Sequence, residues 1–265
     1  ATMKVTANGT EFDTRLEGPD GAPVVTLSHS LCCDLSAWDE LAEDLKSDYR
    51  VLRYSLRGHG NSGATLGPYD FKLLADDMAA IQDAYGITKS HVIGLSIGGM
   101  IAQEYALSFP DRILSLVISS SLCALPDGAA ALWPERIRMV SEQGIEATVD
   151  GSMDRWFVPG SLEGRSALDA RVRQMIRETS VDGYVGCSHA IAGIDLKDRV
   201  TAISVPTLVI VGREDMGTPL SSSELIHRQI EGSKLVVVDN AAHQLAMDKP
   251  DIFNAEVRKH LAAVS

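Results

Sequence analysis

Six short runs that are nearly all apolar recur along the chain and set its fold class. The runs are VVTLSH (24–29), VLRYS (51–55), HVIG (91–94), LSLVIS (114–119), TLVIVG (207–212) and KLVVVD (234–239). A strand that is covered on both faces of a parallel sheet is apolar along nearly its whole length. A strand with one face exposed to solvent alternates between apolar and polar residues. The six runs therefore predict strands buried inside a parallel sheet.

Amphipathic segments separate these runs. They occupy residues 38–46, 70–85, 98–109, 221–230 and 251–262. Their apolar residues recur three to four positions apart, which is the spacing of a helix with one face packed on a sheet. This alternation predicts an α/β fold with a mostly parallel, doubly wound sheet. A chain of 265 residues with 45% hydrophobic content suffices for one such domain with an insertion.

One long segment interrupts the alternation. From residue 122 to 200 there is no strand-like run, only helical stretches such as 133–157 and 167–180. Ligands of open α/β sheets bind beside the carboxyl ends of the strands, and an insertion at this point of the chain would lie over that edge. We therefore predict an α/β core formed by residues 1–121 and 201–265, and a helical cap, residues 122–200, above the site.

The segment HVIGLSIGGM (91–100) carries the clearest chemical signal. Its pentapeptide Gly94-Leu95-Ser96-Ile97-Gly98 follows a strand-like run and begins a helical one, which is the setting of a nucleophile elbow. Such a turn holds the serine in a strained backbone conformation and projects its hydroxyl beside the positive end of the helix dipole. The pattern predicts Ser96 as a nucleophile.

A serine hydroxyl needs a base, and the base needs a carboxylate to orient it. His243 lies in the small-residue loop NAAH directly after the last strand-like run, and we predict it as the base. His59, in the loop RGHG, and His189, in the cap, could also approach a pocket. Asp215 in GREDMGTP follows the TLVIVG run and is the predicted acid, with the adjacent Glu214 as the alternative.

The charge balance favours a small-molecule partner. A formal net charge of −12 and an isoelectric point near 5.0 repel nucleic acid and anionic membranes, and no cluster of Lys and Arg offsets this. No apolar stretch approaches the roughly 20 residues that span a bilayer. The segment ATMKVTANGTEF lacks the apolar core of a signal peptide. We expect a cytoplasmic protein without nucleic-acid or membrane partners, and assembly into a homo-oligomer is left open.

The hexapeptide HSLCCD (29–34) allows three interpretations. Adjacent cysteines cannot easily place both sulfurs on one metal ion, and no second Cys/His cluster completes a tetrahedral site. A thiol catalyst would leave Ser96 and its partners without a role. We therefore interpret the stretch as a loop whose main chain serves the site, with Asp34 or Ser36 starting the next helix. The four cysteines form no CxxC pair, which indicates reduced thiols.

These motifs together resemble a known family. The whole chain is similar to the α/β-hydrolase superfamily, in which nucleophile, acid and base follow the order of Ser96, Asp215 and His243. Within that superfamily it is most similar to the 3-oxoadipate enol-lactonases. The similar segments are SLCCDLSAW (30–38), VLRYSLRGHGNS (51–62), GLSIGG (94–99), RWFVP (155–159), GYVGCSHAIAGIDL (183–196), GREDMGTP (212–219) and AAH (241–243). The family usually has Gly where Cys32 stands and Asp where Ser55 stands.

The resemblance implies a serine hydrolase that opens a five-membered enol-lactone bearing a carboxymethyl group and releases a keto-acid. It also implies an acyl-enzyme on Ser96 and an oxyanion hole formed by the backbone N–H groups of Leu31 and Ile97. No metal and no organic cofactor is required. The same triad would serve a carboxylesterase, a cofactor-free perhydrolase, a C–C bond hydrolase of ring-cleavage products, or a ligand receptor that kept these residues.

The cap residues would choose the substrate. Between Trp133 and Arg177 the cap has seven arginines and seven acidic residues, so it is formally neutral and the rest of the chain carries the negative charge. We expect Trp133 and Trp156 to wall the pocket, and an arginine of the cap to pair with a substrate carboxylate. The alternative is an amphipathic cap whose tryptophans lie in the core and whose arginines face solvent.

Overall fold

An eight-stranded sheet runs through the protein in the order β1-β2-β4-β3-β5-β6-β7-β8. The computed structural model describes residues 2–264. The strands are β1 (Met3–Ala7), β2 (Thr10–Glu17), β3 (Val24–Ser28), β4 (Arg50–Tyr54), β5 (Ser90–Leu95), β6 (Ile113–Ser119), β7 (Thr207–Gly212) and β8 (Lys234–Val238). Strands β3 to β8 pair in parallel, and β1 and β2 add an antiparallel hairpin beside β4. The predicted fold class is therefore confirmed.

All six predicted runs form strands, with ends that differ by at most one residue from the predicted ones. The hairpin β1–β2 was not among the predictions. Strand β1 is largely exposed and β2 is fully buried only at its centre, from Phe12 to Thr14. A half-exposed edge hairpin carries no continuous apolar run, so the criterion that found the buried strands could not find it.

Ten α-helices accompany the sheet in the described part of the chain. They are α1 (Asp39–Leu45), α2 (Phe71–Ala84), α3 (Ile97–Ser108), α4 (Leu132–Gln143), α5 (Val149–Trp156), α6 (Ser166–Arg177), α7 (Val181–Ala192), α8 (Leu220–Gln229), α9 (Leu245–Asp248) and α10 (Pro250–Val264). The five helices predicted outside the cap are all present. The stretch predicted to be helical at 133–157 is two helices, because Gly144 takes a left-handed φ of 84° after α4.

Two apolar layers cover the two faces of the sheet. On one face α2 and α3 pack through residues such as Met78 and Ile101, and on the other α1 and α10 pack through residues such as Leu41 and Phe253. Successive residues of β5 point to opposite faces, so Val92 joins the first layer and its neighbour joins the second. Coverage on both sides explains why β3 to β7 are nearly all apolar. The prediction of a buried strand was wrong for β8, which lies at the edge of the sheet and is fully buried only at Val238.

The segment predicted as the cap, residues 122–200, holds α4 to α7 and adds no strand to the sheet of the described chain. Arg165 reaches the core carboxylate of Asp248 at 2.7 Å, and Arg171 reaches Glu40 at 2.6 Å. Ser180 donates to the carbonyl of Gly58 through its backbone N–H at 3.0 Å and its hydroxyl at 2.9 Å. These bonds fasten the cap to the core at three separate points.

The fold does not test the predictions about cellular location, partners and assembly. The predicted core ranges include Ala1 and Ser265, which lie outside the described residues. None of the helices within residues 2–264 is long and apolar enough to cross a bilayer. The cytoplasmic location, the lack of nucleic-acid and membrane partners, and the state of assembly stay predictions.

Buried histidines make the fold sensitive to acid. Burial lowers the pKa of His29 to about 4 and that of His59 to about 3, from an ordinary 6.5, because a buried imidazolium loses its hydration. Each lowered pKa stabilises the fold above pH 6.5, and this contribution is lost as the pH falls toward the folded-state value. We expect the free energy of unfolding to fall below pH 6.5, by up to about 1.4 kcal/mol per pH unit for each such histidine. Urea unfolding at pH 7, 6, 5 and 4 measures this slope.

A substitution at His260 offers the matched control. Burial lowers the pKa of His260 to about 4, and its Nε2 lies 3.0 Å from the Ser115 hydroxyl. A glutamine amide can keep that hydrogen bond but does not titrate. The variant His260→Gln should therefore show a shallower slope between pH 6.5 and 5, by the contribution of one proton. An unfolding free energy that is constant over this range in the unaltered protein would contradict the prediction.

Candidate active site

Ser96 stands at the sharp junction between β5 and α3. Its backbone has φ 59° and ψ −120°, a conformation that residues other than glycine rarely adopt. Glycine is required on both sides, because a Cβ at Gly94 would come within 2.1 Å of the carbonyl oxygen of Gly98, and one at Gly98 within 2.0 Å of that of Ser28. The Ser96 N–H donates to the Ser119 carbonyl at 2.8 Å, which secures the turn to β6. The predicted strand-turn-helix setting of Ser96 is present.

Asp215 and His243 meet across the loops that follow β7 and β8. His243 Nδ1 lies 2.8 Å from Asp215 Oδ2, and both side chains are buried. A carboxylate only accepts, so Nδ1 carries the proton and Nε2 is left with a free lone pair. The backbone N–H groups of His243 and Gln244 donate to the Trp156 carbonyl at 3.1 and 3.2 Å, which joins this loop to the cap.

The alternatives for acid and base lie elsewhere. Glu214 is exposed, while its neighbour Asp215 points inward. His59 is fully buried and its ring packs against His29 at a centroid distance of 5.4 Å, away from the cavity described below. His189 is exposed on α7. The catalytic roles of Ser96, Asp215 and His243 stay predictions. Ser96 and His243 line one cavity and Asp215 is bonded to His243, which is the arrangement that these roles require.

A cavity of about 800 Å³, open to solvent, lies between the carboxyl ends of the strands and the cap. Ser96 and His243 both line it, and so do Trp133 and Trp156 from the cap. The two tryptophans are each less than 10% exposed, so they are simultaneously part of the apolar packing and part of the cavity wall. Their position in the cavity wall and their burial are both observed, and their contact with a substrate stays a prediction.

The loop after β3 lies beside Ser96 because of strand register. Ser28, the last residue of β3, pairs with Gly94 of β5, so the two strands end at the same edge. Leu31 lines the cavity, and Ile97 is fully buried at the first turn of α3. Within residues 2–264 no group accepts a hydrogen bond from the backbone N–H of Leu31 or Ile97. Both amides remain candidates for an oxyanion hole.

The cysteines of HSLCCD are buried thiols. Cys32 lines the cavity, whereas Cys33 accepts a hydrogen bond from Ser30 Oγ at 3.2 Å. Burial raises the pKa of both thiols, that of Cys33 to about 12, so neither is a thiolate near neutral pH. Asp34 Oδ1 accepts from the Ser36 N–H at 2.8 Å and caps a short 3₁₀ turn before α1. No group of three or more His, Cys, Asp or Glu side chains among the described residues is arranged to hold a metal ion.

Two arginines of the cap face the cavity without a carboxylate partner among residues 2–264. Arg136 of α4 and Arg155 of α5 line it, and neither forms an ion pair or hydrogen bond with another residue of the described chain. The Arg136 guanidinium lies 4.8 Å from the centre of the Trp133 ring. Burial and the neighbouring charge of Arg155 lower the pKa of Arg136. From the sequence we expected an arginine of the cap, which was not identified, to pair with a substrate carboxylate, and that role stays a prediction.

The other arginines between Trp133 and Arg177 are all neutralised. Each lies within 3.3 Å of a carboxylate oxygen: Arg138 with Glu135, Arg165 with Asp248, Arg171 with Glu40, Arg173 with Asp150, and Arg177 with Glu146. Several of these partners lie far away in sequence. Pairing is therefore the property that separates Arg136 and Arg155 from the rest, and it could not be read from the order of residues.

Two further residues adjoin the predicted set and were not predicted from the sequence. Thr218 lines the cavity and hydrogen bonds to Asp215, and Tyr184 of α7 lines the cavity from the cap. Burial raises the pKa of Tyr184 to about 12, so its hydroxyl stays protonated near neutral pH and can donate. GREDMGTP contains Thr218, and its position three residues after the predicted acid was the only available signal.

Cys32 occupies a backbone position that suits glycine. Its φ is 66°, and a side chain there costs about 1–2 kcal/mol. We expect Cys32→Gly to be more stable than Cys32→Ala by about 1 kcal/mol, because both lose the thiol and only glycine relieves the strain. At Cys33, whose φ is not positive, alanine should be the more stable of the two. Urea unfolding of the four variants tests this, and the same order at both positions would refute the explanation.

Comparison with known proteins places these features in a family. The model of the alpha/beta hydrolase fold family matches residues 23–250. The 3-oxoadipate enol-lactonase 2 of Acinetobacter baylyi is 30% identical over 253 residues, which cover 96% of this chain and 94% of that protein. These similarities confirm the resemblance inferred from the motifs.

Solved structures agree with the sequence comparison. The enol-lactonase from Burkholderia xenovorans LB400 has a TM-score of 0.95 at 30% identity, and the match covers 98% of this chain and 100% of that one. A hydrolase from Pseudomonas aeruginosa PA01 has a TM-score of 0.93 at 35% identity, with 98% of each chain covered. The similarity thus extends over the core and the cap together.

Proposed function

The chain belongs to the alpha/beta hydrolase family, and from this premise we propose that it is a serine hydrolase that opens an enol-lactone bearing a carboxylate. One observation carries the proposal. A single cavity contains Ser96, a histidine bonded to a buried carboxylate, and the two unpaired guanidinium groups of Arg136 and Arg155. A nucleophile and a site for an anion are what this substrate class requires.

The first step is attack by Ser96 on the lactone carbonyl. His243 Nε2 takes the hydroxyl proton as the new C–O bond forms, because Nδ1 is already occupied by its bond to Asp215. Asp215 holds the imidazole in this tautomer and stabilises the imidazolium that results. The buried position of the pair strengthens this electrostatic interaction relative to bulk water.

The tetrahedral intermediate places a negative charge on the former carbonyl oxygen. We assign the backbone N–H groups of Leu31 and Ile97 as its hydrogen-bond donors, since both are without an acceptor in the described chain and both adjoin Ser96 or the cavity. The positive end of α3 adds a favourable dipole at the same point. One donor of this kind contributes about 2.7–4 kcal/mol to the transition state.

Collapse of this intermediate breaks the ring C–O bond and leaves an acyl-enzyme. The leaving enolate takes the proton from His243 and tautomerises to the ketone, which makes the ring opening hard to reverse. A water molecule then attacks the acyl-enzyme while His243 accepts its proton. His243 returns this proton to Ser96 Oγ as the bond between Ser96 and the acyl group breaks, and the carboxylic acid is released. The protons that leave or return to Ser96, the leaving oxygen and the attacking water all move through Nε2 of His243.

Arg136 and Arg155 are assigned to the carboxylate of the substrate. The protein has a net charge of −12, so an anion is repelled by the molecule as a whole and needs a local compensating charge. Both residues are half-buried, and a partly desolvated guanidinium without a counter-ion carries a cost that an incoming carboxylate reduces through charge-assisted hydrogen bonds. Trp133 and Trp156 then cover the apolar part of the ring.

The hydrolase assignment is tested with the lactone and with a reagent for active serines. We expect a fluorophosphonate to label Ser96, and Ser96→Ala and His243→Ala to lower kcat for the enol-lactone by about 10⁴-fold or more. Circular dichroism spectra of the two variants should match the unaltered protein. Retained turnover in His243→Ala would refute the assigned base.

A panel of substrates separates the competing functions. The enol-lactone is compared with p-nitrophenyl esters, a peracid-forming reaction and a ring-cleavage product. Simple esters turned over far faster than the enol-lactone would mean a carboxylesterase. An unlabelled Ser96 without any turnover would favour a receptor. Peracid formation or C–C cleavage as the dominant reaction would support the remaining alternatives.

The arginine assignment has its own test. Arg136→Met and Arg155→Met should each raise KM for the anionic lactone about 10- to 100-fold, as expected for loss of a hydrogen bond to a charged group. KM for an uncharged p-nitrophenyl ester should stay within about twofold. Arg173→Met is the matched control, because Arg173 belongs to the same cap but already pairs with Asp150 and Asp169. Equal effects on charged and uncharged substrates would overturn the assignment.

A further inference from the structure

Thr218 touches both the predicted acid and the predicted base. Its hydroxyl oxygen lies 2.8 Å from Asp215 Oδ2 and 3.1 Å from His243 Nδ1. Its backbone N–H donates to the other carboxylate oxygen of Asp215, Oδ1, at 3.0 Å. The side chain is 5% exposed, so water competes little for these bonds. Thr218 therefore holds the carboxylate at both of its oxygens.

The hydroxyl is also anchored on the far side. It lies 2.8 Å from the carbonyl oxygen of Ser120, the residue that follows β6 and has a left-handed φ of 50°. One hydroxyl proton is thus shared between a carbonyl oxygen and a carboxylate oxygen, and the anion is the stronger acceptor. The hydroxyl connects the end of β6 with the loops after β7 and β8, which bear Asp215 and His243.

We propose that Thr218 is a positioning residue that orients Asp215 and His243 for proton transfer at Ser96. The assignment rests on the proposed serine hydrolase function. When His243 becomes an imidazolium, its Nδ1–H must stay directed at Asp215 Oδ2, and a carboxylate that can rotate would weaken this bond. Thr218 restrains that rotation by holding Oδ1 through the main chain and Oδ2 through the hydroxyl.

Valine and serine separate the hydroxyl from the shape of the side chain. Thr218→Val keeps the shape and removes the hydroxyl, while Thr218→Ser keeps the hydroxyl. We expect Thr218→Val to lower kcat about 10- to 100-fold with KM within about twofold, and Thr218→Ser to stay within about threefold of the unaltered protein. The rate at which a fluorophosphonate labels Ser96 should fall in parallel with kcat, because labelling uses the same base but does not depend on the lactone.

Thr26 provides the control for loss of a buried threonine hydroxyl. It is fully buried in β3, and its hydroxyl bonds to Ser90 Oγ at 2.8 Å. Thr26→Val should destabilise the protein in urea to an extent similar to Thr218→Val, but should leave kcat and the labelling rate unchanged. This comparison distinguishes a positioning role from a purely structural one.

The outcomes separate a failure of the Thr218 positioning role from a failure of the proposed hydrolase function. Unslowed labelling of Ser96 in Thr218→Val overturns the role of Thr218 and leaves the hydrolase function intact. A Thr218→Ser variant as slow as Thr218→Val also overturns it, because the hydroxyl would then not be the acting group. Failure of the unaltered protein both to label and to hydrolyse any ester overturns the hydrolase function, and this role with it.

Discussion

The close approach of β5 and α3 at Ser96 is the constraint on which the rest of the site depends. No side chain fits at Gly94 or Gly98, where an added Cβ would overlap a carbonyl oxygen. The serine between them accepts a left-handed backbone that costs about 1–3 kcal/mol. The hydrogen bond that the Ser96 N–H donates to Ser119 of the neighbouring strand and the packing of β5 and α3 offset this strain. In return the hydroxyl lies at the positive end of a helix and at the wall of the cavity.

The register of the parallel sheet then assembles the remaining groups. Ser28 pairs with Gly94, which puts the loop containing Leu31 beside the elbow. Gly212 pairs with Val238, which puts the loops after β7 and β8 side by side. Residues that are far apart in sequence therefore meet at one edge of the sheet. The strand order reverses at β3, which has β4 on one side and β5 on the other. Open α/β sheets bind ligands beside the carboxyl ends of the strands at such a reversal.

The arginines of the cap differ in whether they have a carboxylate partner, and the composition of the cap does not show this difference. Its arginines and acidic residues cancel in number between Trp133 and Arg177, yet the structure divides the arginines into two groups. Most form ion pairs with carboxylates of the cap or the core, while Arg136 and Arg155 line the cavity without a carboxylate partner in the described residues 2–264. Unpaired guanidinium groups in a partly desolvated cavity carry an energetic cost. Binding of an anion would remove that cost, which links the proposed substrate to the electrostatics of the fold.

Local patterns in the order of residues were enough to predict the strands β3 to β8, the helices outside the cap and the elbow at Ser96. These features follow from local requirements, namely continuous burial, helical periodicity and glycine where a Cβ cannot fit. The hairpin β1–β2 escaped because its residues are buried only in part. The three-dimensional contacts were needed to separate Asp215 from the alternative Glu214, to show the left-handed conformation of Cys32, and to show which arginines of the cap have no carboxylate partner among residues 2–264. Each of these features depends on contacts between segments that are distant in sequence. The residues next to a position in the chain do not show which way a turn directs its side chain or which distant carboxylate reaches it.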